Sequence, residues 1–461
     1  MWAVGLAGLA ALAAAAAVDP CALTFARLAS RRFMLDNELT LCEYRPETAV
    51  AATVQHPVLT NGLRVVGGYW PAAHYRARVV SLPAEIAFAQ ADGTVVWRFR
   101  VTEGAGTPEP PFDLSVLLTC SHRPATFATK DGRTRLLAIG EIPGGFNPRL
   151  RANMSTLKFC VSTNVPSARA SLSAGIGQAD VRFVTAGRQN RLHMENGRVF
   201  FTFSARAYGA YQGVASFDPS LFDVRLEGVI LFDYGDGELR NDVASHLFFD
   251  DVDGFWKGYA SNFSTVPDER KGLVGRAEGG LNAVWSEKNP LHGLSVMRAK
   301  SLGLRGMNED PCGTWDEKTR HWRLFVSEFT PKGIRASMLE SRSWDGPFVN
   351  IAGPVTRDST GTTIAWIDGV RYCFSGSKER ACHVYSYPDL RLKGSLRFDF
   401  PPWDDACRNS RVWPCVAELP DGYPFRYILL TMDRANFPGM PSPNWTYGGL
   451  CLYGALPAGR D

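Results

Sequence analysis

At 461 residues the chain is long enough for two domains, and 45% hydrophobic against 21% charged residues is the balance of an ordinary globular protein. The net charge of +4 is small for that length, and with no dense Lys/Arg run it argues against nucleic acid and against a membrane surface as partners.

Residues 1–20, MWAVGLAGLAALAAAAAVDP, form an Ala/Leu run ending in small residues, which reads as a secretory signal peptide cut near Ala17 and implies a secreted or periplasmic protein. No later stretch reaches the roughly 18 apolar residues of a membrane span, so none is expected after signal removal. Ten cysteines suit an oxidising compartment. Cys373 with Cys382, flanking one hairpin, is the first disulfide expected; Cys407 with Cys415 and Cys120 with Cys160 are the others. There is no CxxC pair and no HExxH, and the eight histidines are scattered, so no metal and no other cofactor is expected. Asn153, Asn262 and Asn444 open N-x-S/T sequons.

From Cys21 to Asp180, alternating segments at 63–66, 77–80, 94–101, 114–120 and 135–139 read as strands between Gly/Pro-rich turns. They predict an all-β accessory domain over 21–180, sandwich-like. The Ala/Ser/Gly-rich stretch 167–178 is the linker candidate, and proteolysis there is expected to release the C-terminal region intact.

From about Val181 the chain repeats. Each repeat has a polar cluster, a short apolar strand, a turn and an aromatic-rich strand such as VFFTFSAR or HWRLFVSEF. The turns fall at Glu195-Asn196-Gly197, 251–254, Asp316-Glu317-Lys318, Asp368-Gly369 and Asp421-Gly422, and spacings of 57, 64, 51 and 53 residues separate Asn196, Asp253, Glu317, Asp368 and Asp421. Repeats of this length built of short strands are the mark of a β-propeller. The fold class is therefore all-β, a five-bladed β-propeller over 181–461 preceded by the β-sandwich-like domain, its ring closed by a strand from the N-terminal side of Arg188. Asp251, Asp253, Asp316, Asp368 and Asp421 are read as turn residues.

In a propeller the innermost strands surround a central channel, so clusters about ten residues before each turn converge on one mouth. These clusters are GRQNRLH, LRNDVASH, MNEDPCGTW, TRDSTGTT and RNSRVWP. They supply Asp242, Glu309, Asp310 and Asp358 as candidate catalytic carboxylates, and Arg188, Asn190, His246, Trp315, Arg357, Arg411 and Trp413 as candidate substrate-binding residues.

Five blades with an acid at the start of successive innermost strands resemble the five-bladed propeller glycosidases, the superfamily of the family 43 arabinanases and xylosidases and the family 32 invertases. The resemblance covers roughly 181–455. In family 43 it implies an Asp base, an Asp that tunes pKa and a Glu acid from the first three blades, the Glu followed two residues later by Pro. Glu309-Asp310-Pro311 matches that Glu-x-Pro, and Asp242 matches the second Asp. The first unit departs from the pattern, with Arg188, Gln189 and Asn190 where the base should stand. Either Asp358 or Asp310 supplies the second carboxylate, or the chain is not a standard member, or it is not catalytic.

Glycosidic cleavage needs one carboxylic acid held protonated and one ionised carboxylate. Converging carboxylates push one another's pKa upward, while an adjacent Arg holds another ionised. The expected function is a secreted glycoside hydrolase acting on poly- or oligosaccharides, with Glu309 as general acid. A phosphorylase of the same fold and a non-catalytic carbohydrate-binding or surface-assembly propeller are the alternatives. If two of Arg188, Arg191, Arg357 and Arg411 face the channel without a carboxylate partner, an anionic sugar is expected over its neutral counterpart.

Overall fold

The computed structural model of the chain describes residues 17–32, 35–45, 59, 61–104, 106–143, 145–262, 280–407, 410–440 and 446–455. Most of the expected signal peptide and the Asn444 sequon lie outside them.

The repeated region is a β-propeller built from consecutive antiparallel strand sets. The first comprises Gly177–Phe183, Arg198–Ala207, Gly209–Phe217 and Arg225–Asp233. The second runs from Val243–Asp250 through Phe255–Ser261 and Leu281–Ser286 to Gly293–Ser301, whose last strand lies parallel to Arg225–Asp233. The third starts at Asn308–Asp316 and the fourth at Thr360–Ile367. The last comprises Cys415–Glu418, Tyr427–Met432 and Leu450–Ala455, and its fourth strand is Thr24–Arg31. The closing strand thus comes from the N-terminal side of Arg188, but from ahead of the sandwich. The first strands of the sets pack side by side in order, and Cys415–Glu418 returns to Gly177–Phe183.

Local chemistry dictates the hairpins. Glu195 pairs with Arg198 and Ile367 with Val370, leaving two-residue loops, Asn196-Gly197 and Asp368-Gly369. Both residues of each loop have positive φ, 51° and 77° in one and 49° and 76° in the other. Such loops match the right-handed twist of the flanking strands, and Asn or Asp followed by Gly tolerates them best.

Four inner strands share a second device. Pairing slips by a residue between Ala179 and Arg182, Val243 and His246, Glu309 and Cys312, and Thr360 and Thr363. At each slip one residue is left-handed: Asp180 (φ 55°), Ala244 (54°), Asp310 (58°) and Gly361 (64°). Bulges re-aim side chains out of the strand's alternation. In the first and third sets the re-aimed residue is an aspartate.

Residues 38–173 hold two sheets, one of four strands and one of six. Their facing sides share a core that includes Tyr75, Phe88, Phe112, Leu114, Phe159 and Val161, the arrangement of a β-sandwich. A second core runs from Phe127 and Leu172 of the sandwich region into Phe203, Tyr211 and Leu452 of the propeller. Tyr211 OH donates to Ser173 O at 2.6 Å and Asn241 Nδ2 to Thr119 O at 2.8 Å across the same seam.

Two expectations fail here. The stretch 167–178 is no linker: Ser167–Ser173 is a sheet strand, Gly177 opens the first inner strand, and Ala170, Leu172, Ala174 and Ile176 are buried. Small residues are there because strands pack closely. Disulfides are absent as well, none of the ten cysteines being bridged to another. Cys373 lies opposite Tyr385 while Cys382 lies opposite Gly376, so the two are offset by an odd number of residues and face opposite sides of the sheet. Cys120 and Cys160 belong to separate cores.

Candidate active site

The N-terminal ends of the inner strands carry the carboxylates. Asp180 lies on the first, 7% exposed; its Oδ2 accepts from Arg206 Nη2 at 2.5 Å and from Ser204 Oγ at 2.6 Å. Asp310 lies at the same place on the third, 4% exposed; its Oδ2 accepts from Thr360 Oγ1 at 2.6 Å and from Gly361 N at 3.1 Å. Glu309, half-buried, stands next to it with Oε1 3.4 Å from that same Thr360 hydroxyl. Thr360 has one hydroxyl proton to share between these two acids.

Position makes the two aspartates unlike. Burial alone would raise Asp180, but the Arg206 charge, the Ser204 hydrogen bond and Arg434 outweigh it and hold the carboxyl below the usual range. Burial raises Asp310, Arg182 opposes the rise, and the Asp180 charge adds to it. One carboxylate is kept ionised while its neighbour keeps its proton to higher pH, the division that acid/base chemistry uses. Between them Arg182 crosses the channel, donating to Asp310 O at 2.9 Å, to Thr363 Oγ1 at 3.1 Å and to Thr362 O.

Asp180, Arg182 and Arg206 are missing from the sequence-derived site for an identifiable reason. The inner strand ends at Phe183, and the excursion through Arg188 to Leu192 precedes the Asn196-Gly197 turn, so ten residues back from the turn falls on the excursion. The first unit therefore does carry an aspartate, eight residues before Arg188.

The remaining predicted residues separate into groups. Asp242 is fully buried, and its Oδ2 accepts from Asn282 Nδ2 at 3.0 Å and from Tyr234 OH. Asp358 is at the carboxylate end but is held by Arg411 in a two-pronged contact, Nε to Oδ2 and Nη2 to Oδ1 both at 2.8 Å, and by Lys378 N at 3.0 Å. Arg411 is thus a partner of Asp358 before it is anything to a substrate. Arg357 is exposed.

Trp413 is not a sugar platform: it is 3% exposed, its Nε1 donates to Val181 O at 2.6 Å, and Arg182 covers its ring at 5.0 Å. Gly361 is required against it, since a Cβ there would lie 2.9 Å from the indole.

Arg188, Asn190, His246 and Trp315 sit farther along the channel. Arg188 binds Asp250 and Asp253, both at 2.8 Å, and lies 5.6 Å over Trp315, so its charge and that ring face are both occupied. His246 belongs to a cycle. Gly313 N donates to its Nδ1 at 3.2 Å, Nε2 lies 3.2 Å from Thr185 Oγ1, that hydroxyl donates to Asn190 Oδ1 at 3.5 Å, and Asn190 Nδ2 returns to Gly313 O at 2.6 Å. The cycle closes only if Nδ1 accepts and Nε2 carries the proton, a neutral imidazole. Burial and the nearby Arg182 charge agree, lowering the His246 pKa to about 3.

At this opposite end a cavity of about 870 Å³ opens between the first, fourth and last units, with Arg182 at its floor and Trp366, Arg191 and Glu418 on its walls. Among the described residues no group of three or more His, Cys, Asp or Glu side chains is placed to hold a metal. None of their helices is long and apolar enough to cross a membrane.

The molecule is a β-propeller with paired carboxylates at one end of its channel. No family model and no curated protein sequence matches it. Among solved structures it is similar to a family 117 glycoside hydrolase, Zg3597, from Zobellia galactanivorans, at 11% identity over 60% of this chain and 84% of that chain, TM-score 0.42. It is also similar to the catalytic domain of a Coprinopsis cinerea GH62 α-L-arabinofuranosidase, at 11% identity over 60% and 90%, TM-score 0.37. A Bifidobacterium adolescentis family 32 glycoside hydrolase matches at 11% identity over 83% and 73%, TM-score 0.38. Likenesses this distant leave the chemistry to the residues themselves.

Proposed function

We propose that the chain is a glycoside hydrolase acting on poly- or oligosaccharides at the carboxylate end of the propeller channel. The observation that carries this reading is the pair of re-aimed aspartates, Asp180 held ionised by Arg206 and Asp310 pushed toward its protonated form, with Glu309 beside them. Glu309, the least buried of the three, gives the leaving oxygen its proton. Asp180 is the ionised partner that activates water or attacks. Asp310 is a positioning residue that acts on Glu309 through Thr360. The apolar N-terminal run supports export of the mature enzyme.

Replacing Glu309 by Gln keeps shape and hydrogen bonding but removes the proton, so turnover should fall by roughly 10²-fold or more. Aryl glycosides with good leaving groups need no acid and should be spared in that variant. Full activity of Glu309→Gln on unactivated oligosaccharides would remove Glu309 from the mechanism.

A second reading, a carbohydrate-binding propeller without catalysis, is favoured by one fact: the Asp180, Asp242 and Asp310 carboxylates are all satisfied inside the protein. Calorimetry showing oligosaccharide binding with no product release on prolonged incubation would select it.

A further inference from the structure

The cavity at the far end of the channel takes no part in the proposed hydrolysis, yet about 870 Å³ is the size of a small-molecule site. Phe183, Leu192, Ile364 and Val416 give it apolar walls, and Trp366 is fixed in the wall by Nε1–H to Gln189 O at 2.6 Å. Arg182, Arg191 and Arg426 face it against one carboxylate, Glu418. That carboxylate is committed elsewhere: Arg426 Nη2 lies 2.6 Å from Oε1, and Asp368 N donates to Oε2 at 2.8 Å.

Among the histidines that line the cavity, His246 adds no positive charge. His246 is neutral, its pKa lowered to about 3 by burial and by Arg182, and His193 Nε2 is bonded to Glu195 at 3.0 Å. Among the described residues two of the guanidinium groups that line the cavity have no carboxylate within ion-pair distance. Arg191 is exposed at the rim. Arg182, 2% exposed, donates among the described residues to uncharged oxygens of Thr362, Thr363 and Asp310.

We propose that this cavity binds a small hydroxylated carboxylic acid of the uronic-acid kind, with its carboxylate on Arg191 and its flat face toward Trp366. The guanidinium fork suits a carboxylate, and the side of the Trp366 ring that Arg371, 4.5 Å from its centroid, does not cover suits the apolar face of a sugar ring. The site stands whether or not the other end of the channel hydrolyses anything.

The test is titration of the full chain with glucuronate and with glucose, read by calorimetry and by tryptophan fluorescence. Glucuronate should bind about tenfold or more tightly than glucose, the worth of one charge-assisted contact. Arg191→Gln, a change at an exposed position, should remove that preference. Raising salt from about 0.05 to about 0.5 M should weaken glucuronate binding in the wild type, because an exposed ion contact is screened. Equal affinity for the two sugars, or an unchanged preference in Arg191→Gln, overturns the proposal.

Discussion

Asp310 sits where a carboxylate is unfavourable, and its neighbours only partly offset that. Its folded-state pKa is raised by burial, so the group is protonated in both folded and unfolded chains at low pH, and stability is lost as pH rises past the unfolded value of about 3.9 and through the raised folded one. Asp310→Asn should therefore match the wild type in acid and gain on it toward neutral pH, as measured by urea unfolding across that range. Asp180 has the opposite sign: its stabilising contribution is present above the unfolded pKa and lost as pH falls through the depressed folded one. Arg206→Met would leave that buried carboxylate unpaired, and unfolding free energy should drop by about 3–5 kcal/mol. His246 should show no imidazole titration by NMR above about pH 4, and its proton should sit on Nε2. At this scale the sequence is half legible. Glu309-Asp310-Pro311 stands out because acids and a proline interrupt an apolar strand. Asp180 and Arg182 interrupt QADVRFV in the same way, but the excursion beyond Phe183 breaks the turn-to-strand distance by which such residues are found.

Among the elements, the strand Thr24–Arg31 has most to lose. It pairs antiparallel with Leu450–Ala455 and completes the last set, while Thr24 and Phe25 also lie parallel to Arg397 and Phe398. Phe25, 2% exposed, packs with Val384, Leu429 and Tyr453. Phe25→Ala should cost about 3–5 kcal/mol, and removal of residues through Arg32 should leave Leu450–Ala455 as an unpaired edge prone to association. Thermal unfolding and size-exclusion chromatography of the two variants test this. The hairpins are visible in sequence because their turn residues are chemically demanded, as Asn196-Gly197 and Asp368-Gly369 illustrate. The closing strand is expected in kind but not in place, because nothing local distinguishes TFARLASR from a sandwich strand and its partner lies more than 400 residues away. The stretch 167–178 misleads for a related reason: small residues signal flexibility in isolation and close packing in a sheet.

For the molecule as a whole, the channel has two chemically different ends divided by Arg182. One end holds Asp180, Glu309 and Asp310; the other holds the neutral His246 cycle and the arginine-rimmed cavity. Asp242 and Asp358 carry the same group as Asp180, and all three are buried and bound within the protein, Asp180 by Arg206, Asp242 by Asn282 and Asp358 by Arg411. Under the proposed function the first unit's Asp180 joins Glu309 in breaking a glycosidic bond. The most direct measurement is release of reducing sugar from a panel of poly- and oligosaccharides by the wild type and by Asp180→Asn, with folding of both checked by circular dichroism. Turnover on at least one substrate is expected, with a loss of about 10²-fold or more in the folded variant. Undiminished turnover in Asp180→Asn would contradict it.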